Sequence, residues 1–358
     1  MAKRSRASTT ITSRCSNRSW SDVTEPLLYS ILSRLSSNVA DFYTFSGVCT
    51  AWRSIAKAFK QELLASTPPM FMLRLANSGA LRFQSITDSN YHMTSPLRVK
   101  TKNCVGVSFG YLIIVDRSWR QPSLVDPFTS TTIRLPKQEF RIRFAILTAP
   151  PSSPDCLLLG LGSDLGTKKC QTNAIAVCEL EGSCGTVQFW PFSFRNAIFR
   201  DGKAFALLNF SAVIIVMDLV RDPKPRLTEV RRLSVPTGLP YLMLTEAGGD
   251  LLLVSQDPPS GRISVEACPL DLKRRGWVRL TSLGGRALFL SYNRCEVAEN
   301  PAEWEGEDCI YMVSGNTVVR QSLKDGSTKV LIESLPQRYV DEDRNYDWVT
   351  PVSNQLPI

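Results

Sequence analysis

The sequence predicts an α+β multidomain protein, in which a small N-terminal domain of three helices precedes an all-β propeller of about six blades. Three observations lead to this prediction. Apolar residues between positions 27 and 35 have helical spacing, and Pro68 and Pro69 then end the helical pattern. Short apolar runs recur from residue 110 onward at intervals of 45 to 59 residues. A chain of 358 residues is long enough for both domains.

The first predicted helix carries a wide apolar face. Its apolar residues occur at positions i, i+1, i+4, i+5 and i+8, and they are Leu27, Leu28, Ile31, Leu32 and Leu35. Pro26 suits the first turn of this helix, where an N–H group has no intrahelical partner. A third helix is predicted from about Cys49 to Leu64. Because a unit of about 40 residues cannot bury this much apolar surface alone, we expect the face to have a partner.

This N-terminal stretch resembles an F-box, the three-helix module by which substrate receptors bind a Skp-type adaptor in cullin–RING ubiquitin ligases. The resemblance rests on residues 31–35, which read ILSRL, and on residues 48–54, which read VCTAWRS. The family pattern begins with a Leu-Pro pair, whereas this chain has Val23 and Thr24 there and its proline at Pro26. The alternative interpretation is an ordinary helical cap on the next domain.

The resemblance implies an adaptor-binding face on these helices. The residues that it assigns to the face are Val23, Leu27, Leu28, Ile31, Leu32, Leu35, Val48, Cys49 and Trp52. Cys49 and Trp52 are three residues apart and would lie on one side of the third helix. For Trp52, a plain core role is the alternative. The predicted domains are a disordered basic tail at 1–19, the F-box at 20–66 and the propeller at 70–358.

The net charge of +9 is concentrated at the N-terminus. The first 20 residues contain five basic and no acidic side chains, and the basic ones are Lys3, Arg4, Arg6, Arg14 and Arg18. We therefore expect a solvated basic tail and no specific nucleic-acid site on the folded part. No apolar run approaches the roughly 18 residues of a membrane span, and no secretory signal follows the basic start. The expected location is the nucleus or the cytoplasm, with an organelle transit peptide as the alternative.

The ten cysteines predict reduced thiols rather than disulfides, because the chain has no secretory signal. Cys170, Cys178 and Cys184 form a cluster, but seven and five residues separate them, which is not a zinc-ligand spacing. No phosphate-binding or dinucleotide-binding loop is present in the sequence. We therefore expect no metal and no cofactor.

Short apolar runs repeat along the second part of the chain. They begin at residues 110, 155, 202, 249 and 308, and an additional run occupies 287–290. Each run is predicted to open a block of three or four strands, which is typical of a propeller blade. Six blades are predicted, with seven as the alternative count and a large antiparallel sandwich as the alternative fold. Because a propeller must close, we predict that Trp348 and Val349 pair with the strand at 70–75.

The propeller region also shows a resemblance. Residues 106–112, 124–129 and 133–136 are similar to the signature of plant F-box proteins with a KIB-type β-propeller. Further similar segments occur at 197–205, 241–254 and 277–290. The resemblance covers nearly the whole chain after residue 20. It implies that the propeller binds target proteins.

The sequence contains a possible nucleophile elbow, a motif of serine hydrolases. Residues 106–110 read GVSFG, which fits G-x-S-x-G with Ser108 as the nucleophile. That motif requires a helix after the serine and a histidine downstream of it, whereas a strand pattern follows and the single histidine is His92, upstream. We interpret the segment as a blade turn and predict no catalytic residues.

These features favour a non-catalytic substrate receptor of an SCF-type E3 ubiquitin ligase. The helices would bind the Skp-type adaptor and through it the cullin–RING scaffold, and the propeller would bind an unidentified protein substrate. One alternative is a propeller interaction scaffold that does not engage the adaptor, because Val23 and Thr24 depart from the family pattern. A hydrolase that uses Ser108 is the third hypothesis.

Overall fold

The computed structural model divides the chain into two compact units, with the division between Leu63 and Leu64. The structure describes residues 20–35, 39–64, 67–75, 78–87, 92–98, 103–165, 171–181, 187–209, 211, 213–221, 224–236, 243–256, 262–270, 276–291, 294–299, 306–314, 317–333, 335 and 346–349. The predicted tail at 1–19 lies outside these residues. Among the described residues, no helix combines the length and the apolar character that a membrane span requires.

The N-terminal unit contains three α-helices after a short 3-10 turn at Trp20–Asp22. They are α1 (Glu25–Leu35), α2 (Val39–Gly47) and α3 (Thr50–Leu64). Pro26 is the second residue of α1, and the Leu28 N–H donates to the Thr24 carbonyl oxygen at 3.0 Å. The helix thus begins where the sequence predicts it, because the proline needs no N–H partner in the first turn.

The second unit is a six-bladed β-propeller in its described residues. Blades 2 to 5 each contain four consecutive strands. The strands of these blades are β4 (Asn103–Ser108), β5 (Tyr111–Val115), β6 (Pro122–Val125) and β7 (Thr132–Arg134) in blade 2; β8 (Arg141–Leu147), β9 (Leu157–Leu165), β10 (Gln171–Glu179) and β11 (Gln188–Trp190) in blade 3; β12 (Phe194–Arg200), β13 (Lys203–Leu208), β14 (Val213–Val220) and β15 (Arg226–Ser234) in blade 4; β16 (Met243–Ala247), β17 (Asp250–Gln256), β18 (Ile263–Pro269) and β19 (Val278–Arg279) in blade 5.

Blade 1 joins the two ends of the propeller sequence. Its strands are β1 (Met70–Arg74), β2 (Ala80–Gln84), β3 (His92–Arg98) and the C-terminal β25 (Tyr346–Val349). Strand β25 is antiparallel to β1, with Trp348 opposite Phe71 and Val349 opposite Met70. The predicted closure of the ring is therefore confirmed. It removes an open edge at which the first and last blades would otherwise be exposed.

Blade 6 has five described strands and an unusual order. They are β20 (Ala287–Leu290), β21 (Cys295–Ala298), β22 (Cys309–Ser314), β23 (Thr317–Ser322) and β24 (Thr328–Ile332). Strand β21 forms a hairpin with β20, and β20 is parallel to β22. The β20–β21 hairpin explains why the last interval between apolar runs is longer than the others.

The sequence analysis predicted that each apolar run opens its block of strands. This was wrong for four runs, which form the second strands of their blades, β5, β9, β13 and β17. The second strand is enclosed on both faces: four of five residues in β5 and five of six in β13 are buried. Such strands read as continuous apolar runs. First strands such as β12 keep partly exposed residues, so their sequence signal is weaker.

Buried polar side chains connect the blades to one another. The Asn196 amide on β12 donates to the Leu244 carbonyl oxygen at 2.7 Å and accepts from the Leu244 N–H at 3.2 Å, which links blades 4 and 5. The Thr245 hydroxyl donates to the Cys295 carbonyl oxygen at 3.2 Å, which links blades 5 and 6. Because the Asn196 and Thr245 side chains are buried, their polar groups need partners within the protein, and each bond helps to fix the offset between neighbouring blades.

Candidate functional site

The nine residues assigned to adaptor binding differ in their exposure. Leu28, Leu32 and Trp52 are buried, whereas Val23, Ile31, Leu35 and Cys49 are partly exposed. Leu27 and Val48 are 59% and 49% exposed. Leu27 and Val48 can therefore contact a partner directly, and the four partly exposed residues can do so in part. The assignment of all nine to an adaptor-binding face stays a prediction.

Trp52 belongs to the interior of the helical unit. Its ring centroid lies 4.4 Å from that of Phe45 and 6.1 Å from that of Trp20. The Trp52 indole N–H donates to the Trp20 carbonyl oxygen at 3.0 Å, so its polar atom is satisfied. The alternative core role for Trp52 agrees with these contacts, and a substitution there would disturb the fold of the unit.

Helices α1 and α3 are joined by a second set of contacts. The Tyr29 hydroxyl donates to Glu62 Oε1 at 2.6 Å, and the Tyr29 and Phe59 ring centroids are 4.5 Å apart. These contacts hold α1 so that Leu28 and Leu32 point inward and Leu27 points outward.

Trp20 is a candidate that the sequence interpretation did not include. Its carbonyl oxygen accepts a hydrogen bond from the Trp52 indole N–H, but the residue is 71% exposed. A tryptophan just before the first apolar helix could have been noticed, because exposed tryptophans are enriched at interaction sites. Trp20, Leu27 and Val48 are the exposed large apolar side chains among the described residues of this unit. We refer to these three as the exposed apolar residues of the helical unit.

The propeller contains a cavity of about 640 Å³ near the ends of its first strands. The strands β4, β8, β12 and β16 pack side by side in this order. The cavity is lined by the turn after β4, the β8–β9 loop, the turn after β12, the end of β14 and the end of β16. Its charged residues are Asp155, Arg200, Asp201, Arg221 and Glu246. Its volume lies within the range of about 300–1,000 Å³ that is usual for ligand sites.

Two tight turns shape this cavity. Phe109 and Gly110 connect β4 to β5 with φ angles of 49° and 76°, and Asp201 and Gly202 connect β12 to β13 with φ angles of 49° and 73°. Two successive residues with positive φ are typical of a two-residue hairpin of type I′, which needs glycine or a residue that tolerates this conformation. The turns place Phe109 and Asp201 at the cavity.

Ser108 has a structural partner. It is the last residue of β4, and its Oγ accepts a hydrogen bond from the Leu147 N–H at 3.1 Å. This bond connects blade 2 to blade 3. Strand β5 follows the turn, so the strand–helix geometry of a nucleophile elbow is not formed at this position. His92, the other residue that the hydrolase hypothesis requires, lies on β3.

The seven cysteines of the described segments form no disulfides with one another. Cys178 is buried, and its thiol donates to Gln138 Oε1 at 2.9 Å. Cys170 and Cys184 lie outside the described residues. Within the described segments, no group of three potential metal ligands comes together.

Two cysteine thiols of the propeller have a raised pKa in the folded protein. Burial raises the pKa of Cys104 on β4 to about 12, and the Asp347 carboxylate adds to this rise. Burial also raises the pKa of Cys295 on β21 to about 12. The pKa of both thiols is higher in the folded chain than the value of 9.0 expected for the unfolded chain. Their contribution to stability is therefore fully present at pH values below 9.0. This contribution is lost as the pH rises from 9.0 toward 12.

We therefore expect the thermal midpoint of the propeller to fall between about pH 9 and 11. A Cys104→Ala/Cys295→Ala variant should show a smaller fall than the wild type, and Cys49→Ala, a control in the helical unit, should follow the wild type. Circular dichroism melts at pH 8, 9.5 and 10.5 measure this. Equal slopes for the double variant and the wild type would contradict the expectation.

Comparison with known proteins agrees with the observed fold. The model of the KIB1-4 beta-propeller family matches residues 82–338. A search of curated proteins finds no match.

Similar solved structures include the dihydro-heme d1 dehydrogenase NirN, with 12% identity and a TM-score of 0.39 over 73% of this chain. The chain spans about half of NirN, 53% of its length. The AfRom2 CNH domain is 10% identical, with a TM-score of 0.40 over 76% of this chain and 88% of that domain. A protein of unknown function from Bacteroides caccae is 12% identical, with a TM-score of 0.36 over 61% of this chain and 76% of that one.

The family match extends from β2 in blade 1 to residues beyond β24 in blade 6, and thus covers most of the ring. The chain belongs to the KIB1-4 β-propeller family.

Proposed function

We propose that this chain is the substrate-recognition subunit of an SCF-type cullin–RING E3 ubiquitin ligase. The helical unit binds a Skp-type adaptor, and the propeller binds the protein to be ubiquitinated. The observation that carries the proposal is a three-helix unit that leaves Trp20, Leu27 and Val48 exposed and whose sequence resembles an F-box, in a chain that also contains a KIB-type propeller. Large apolar side chains that stay exposed on a small unit favour a partner protein.

In this proposal the chain is a non-catalytic receptor that works by proximity. The adaptor connects it to the cullin–RING scaffold, and the bound target is held near a ubiquitin thioester on another subunit. Holding two reactants together raises their effective concentration greatly, so the receptor needs no catalytic group of its own. The proposed site of action is the nucleus or the cytoplasm.

The proposal predicts that the full-length protein binds a purified plant Skp-type adaptor in biolayer interferometry. Leu27→Asp and Val48→Asp should each weaken binding at least about tenfold, because a carboxylate would be placed in an apolar contact. Both side chains are exposed in the free protein, so these variants should fold normally. Val278→Asp is the matched control, since Val278 is exposed on β19 of the propeller and is 65% accessible.

Wild-type affinity in both Leu27→Asp and Val48→Asp, or no binding of the wild type, would overturn the proposal. Absence of binding would instead favour the interaction scaffold, for which the Val23 and Thr24 departure is the supporting observation. Leu32→Asp is not suited to this test, because Leu32 is completely buried and the variant would unfold the helical unit.

A further inference from the structure

The charged cavity at the ends of the first strands has the features of a recognition site. Five chain segments from blades 2 to 5 meet there, so the cavity depends on the ring rather than on one blade. Loops on a rigid scaffold are the usual place for recognition in such folds. Its chemistry can be read from the ion pairs that its side chains form.

One arginine of the cavity, Arg221, is already paired with Asp155. Arg221 Nη1 lies 3.3 Å from Asp155 Oδ1, and Arg221 Nη2 donates to the Asp155 carbonyl oxygen at 3.1 Å. Both contacts hold the guanidinium against the β8–β9 loop. Arg221 is thus already neutralised, and it has little capacity left to attract a negatively charged ligand.

The second arginine is shared by two carboxylates. Arg200 lies 3.6 Å from Asp201 Oδ1 and 3.7 Å from Glu246 Oε2. Both distances exceed the roughly 2.8 Å of a good charge-assisted hydrogen bond, so the carboxylate oxygens keep lone pairs that can accept from a ligand. With three carboxylates and two guanidinium groups, the cavity has an excess of one negative charge.

Apolar groups complete the walls. Phe109 packs on one side against the core between blades 2 and 3, and Phe199 packs against the core between blades 3 and 4. Both phenylalanines are partly exposed and line the cavity together with Leu219. Long basic side chains bury their methylene groups on surfaces of this kind while the charged end meets a polar group.

We propose that this cavity binds the side chain of an arginine in an extended segment of the protein that the propeller recognises. The guanidinium donates to Glu246 and Asp201, and the methylene groups lie between Phe109 and Phe199. Arginine suits two separated carboxylates better than lysine, because its planar group donates in several fixed directions. That the segment belongs to a ubiquitination target rests on the proposed function, whereas binding of the arginine does not.

The test uses the full-length protein and a fluorescein-labelled nonapeptide with one arginine between two leucines, measured by fluorescence anisotropy. Matched peptides contain citrulline or glutamate in place of the arginine. The arginine peptide should bind at least about fivefold more tightly than the citrulline peptide, which has the same shape without the charge. Free spermidine is added as a competitor, to distinguish a site for any small cation from a site for an arginine in a peptide. Spermidine should displace the arginine peptide only weakly.

The variant Glu246→Gln should weaken the arginine peptide about fivefold and leave the citrulline peptide unchanged, and Asp155→Asn should weaken it less. Glu139→Gln is the matched control with the same change of charge. Glu139 is exposed and precedes the start of β8, whereas the cavity lies at the other end of that strand. A seven-residue strand separates the two ends by about 20 Å.

Tighter binding of the citrulline or glutamate peptide would overturn the inference, as would displacement by spermidine at the concentration of the peptide. An unchanged affinity in Glu246→Gln would overturn it as well, because the peptide would then bind elsewhere. The adaptor measurement is separate from all of these outcomes. Failure of the arginine site with intact adaptor binding would therefore leave the proposed function in place.

Discussion

Replacement of Trp348 by alanine is expected to lower the free energy of unfolding of the propeller by about 3–5 kcal/mol. Trp348 is completely buried in β25, the strand that closes the ring against β1. Its ring lies 5.0 Å from that of Phe71 and 4.9 Å from that of Phe289, between centroids. Its indole N–H donates to the Leu290 carbonyl oxygen at 2.9 Å. The substitution removes the side chain that joins blade 1 to blade 6.

The neighbouring Arg294 strengthens the same closure. Its guanidinium donates to the Trp348 carbonyl oxygen at 3.2 Å, lies 3.1 Å from Asp347 Oδ1 and pairs with Glu296. The Arg294 side chain is almost completely buried, so these groups satisfy a charge that has no access to water. A short C-terminal strand of four residues is held by both sets of contacts.

Thermal unfolding followed by tryptophan fluorescence measures the Trp348→Ala effect, and a fall of roughly 6–20 °C in the midpoint corresponds to the expected loss. Trp277→Ala is the matched control, because Trp277 is only partly buried and donates one hydrogen bond to the Ser234 carbonyl oxygen. It should cost about 1 kcal/mol. A midpoint for Trp348→Ala within about 2 °C of the wild type would show that β25 does not hold the ring together.

Gly106→Ala is expected to destabilise the propeller by about 3 kcal/mol or more, although it adds a single methyl group. A Cβ atom at Gly106 would lie 1.9 Å from the carbonyl oxygen of Ala145 on the adjacent first strand β8. That oxygen belongs to the backbone, so the clash can be relieved only by moving blade 2 away from blade 3. The hydrogen bond between Ser108 and Leu147 lies in the same contact and would be disturbed as well.

Gly202→Asn is the control for Gly106→Ala. Gly202 has a φ angle of 73°, but no atom lies within 4 Å of a Cβ placed there. Asparagine tolerates this conformation better than most residues, so a loss below about 1 kcal/mol is expected. Equal midpoints for Gly106→Ala and the wild type would mean that the two first strands do not approach as closely as described.

Much of the architecture was predictable from particular residues. Leu27 to Leu35 have helical spacing, and this predicted α1 to within a few residues. The apolar second strands predicted the repeat, because a strand that is covered on both faces contains mostly apolar residues. The pairing of Trp348 with the first blade followed from the requirement that a propeller close. The assignment of those runs to first strands was wrong, since the true first strands have a weaker apolar pattern.

The order of the helices and strands follows from the sequence alone, because helical and strand periodicities are local properties of the chain. The packing of the three helices, in contrast, determines which apolar residues of α1 remain exposed, since Leu27 and Leu28 differ only in their position relative to α2 and α3. Packing of the blades likewise determines the role of Gly106, whose neighbour Ala145 is 39 residues away in the chain. The cavity that contains Arg200 and Glu246 likewise results from the meeting of distant segments. No local pattern records such contacts, because they depend on how the blades pack around the axis.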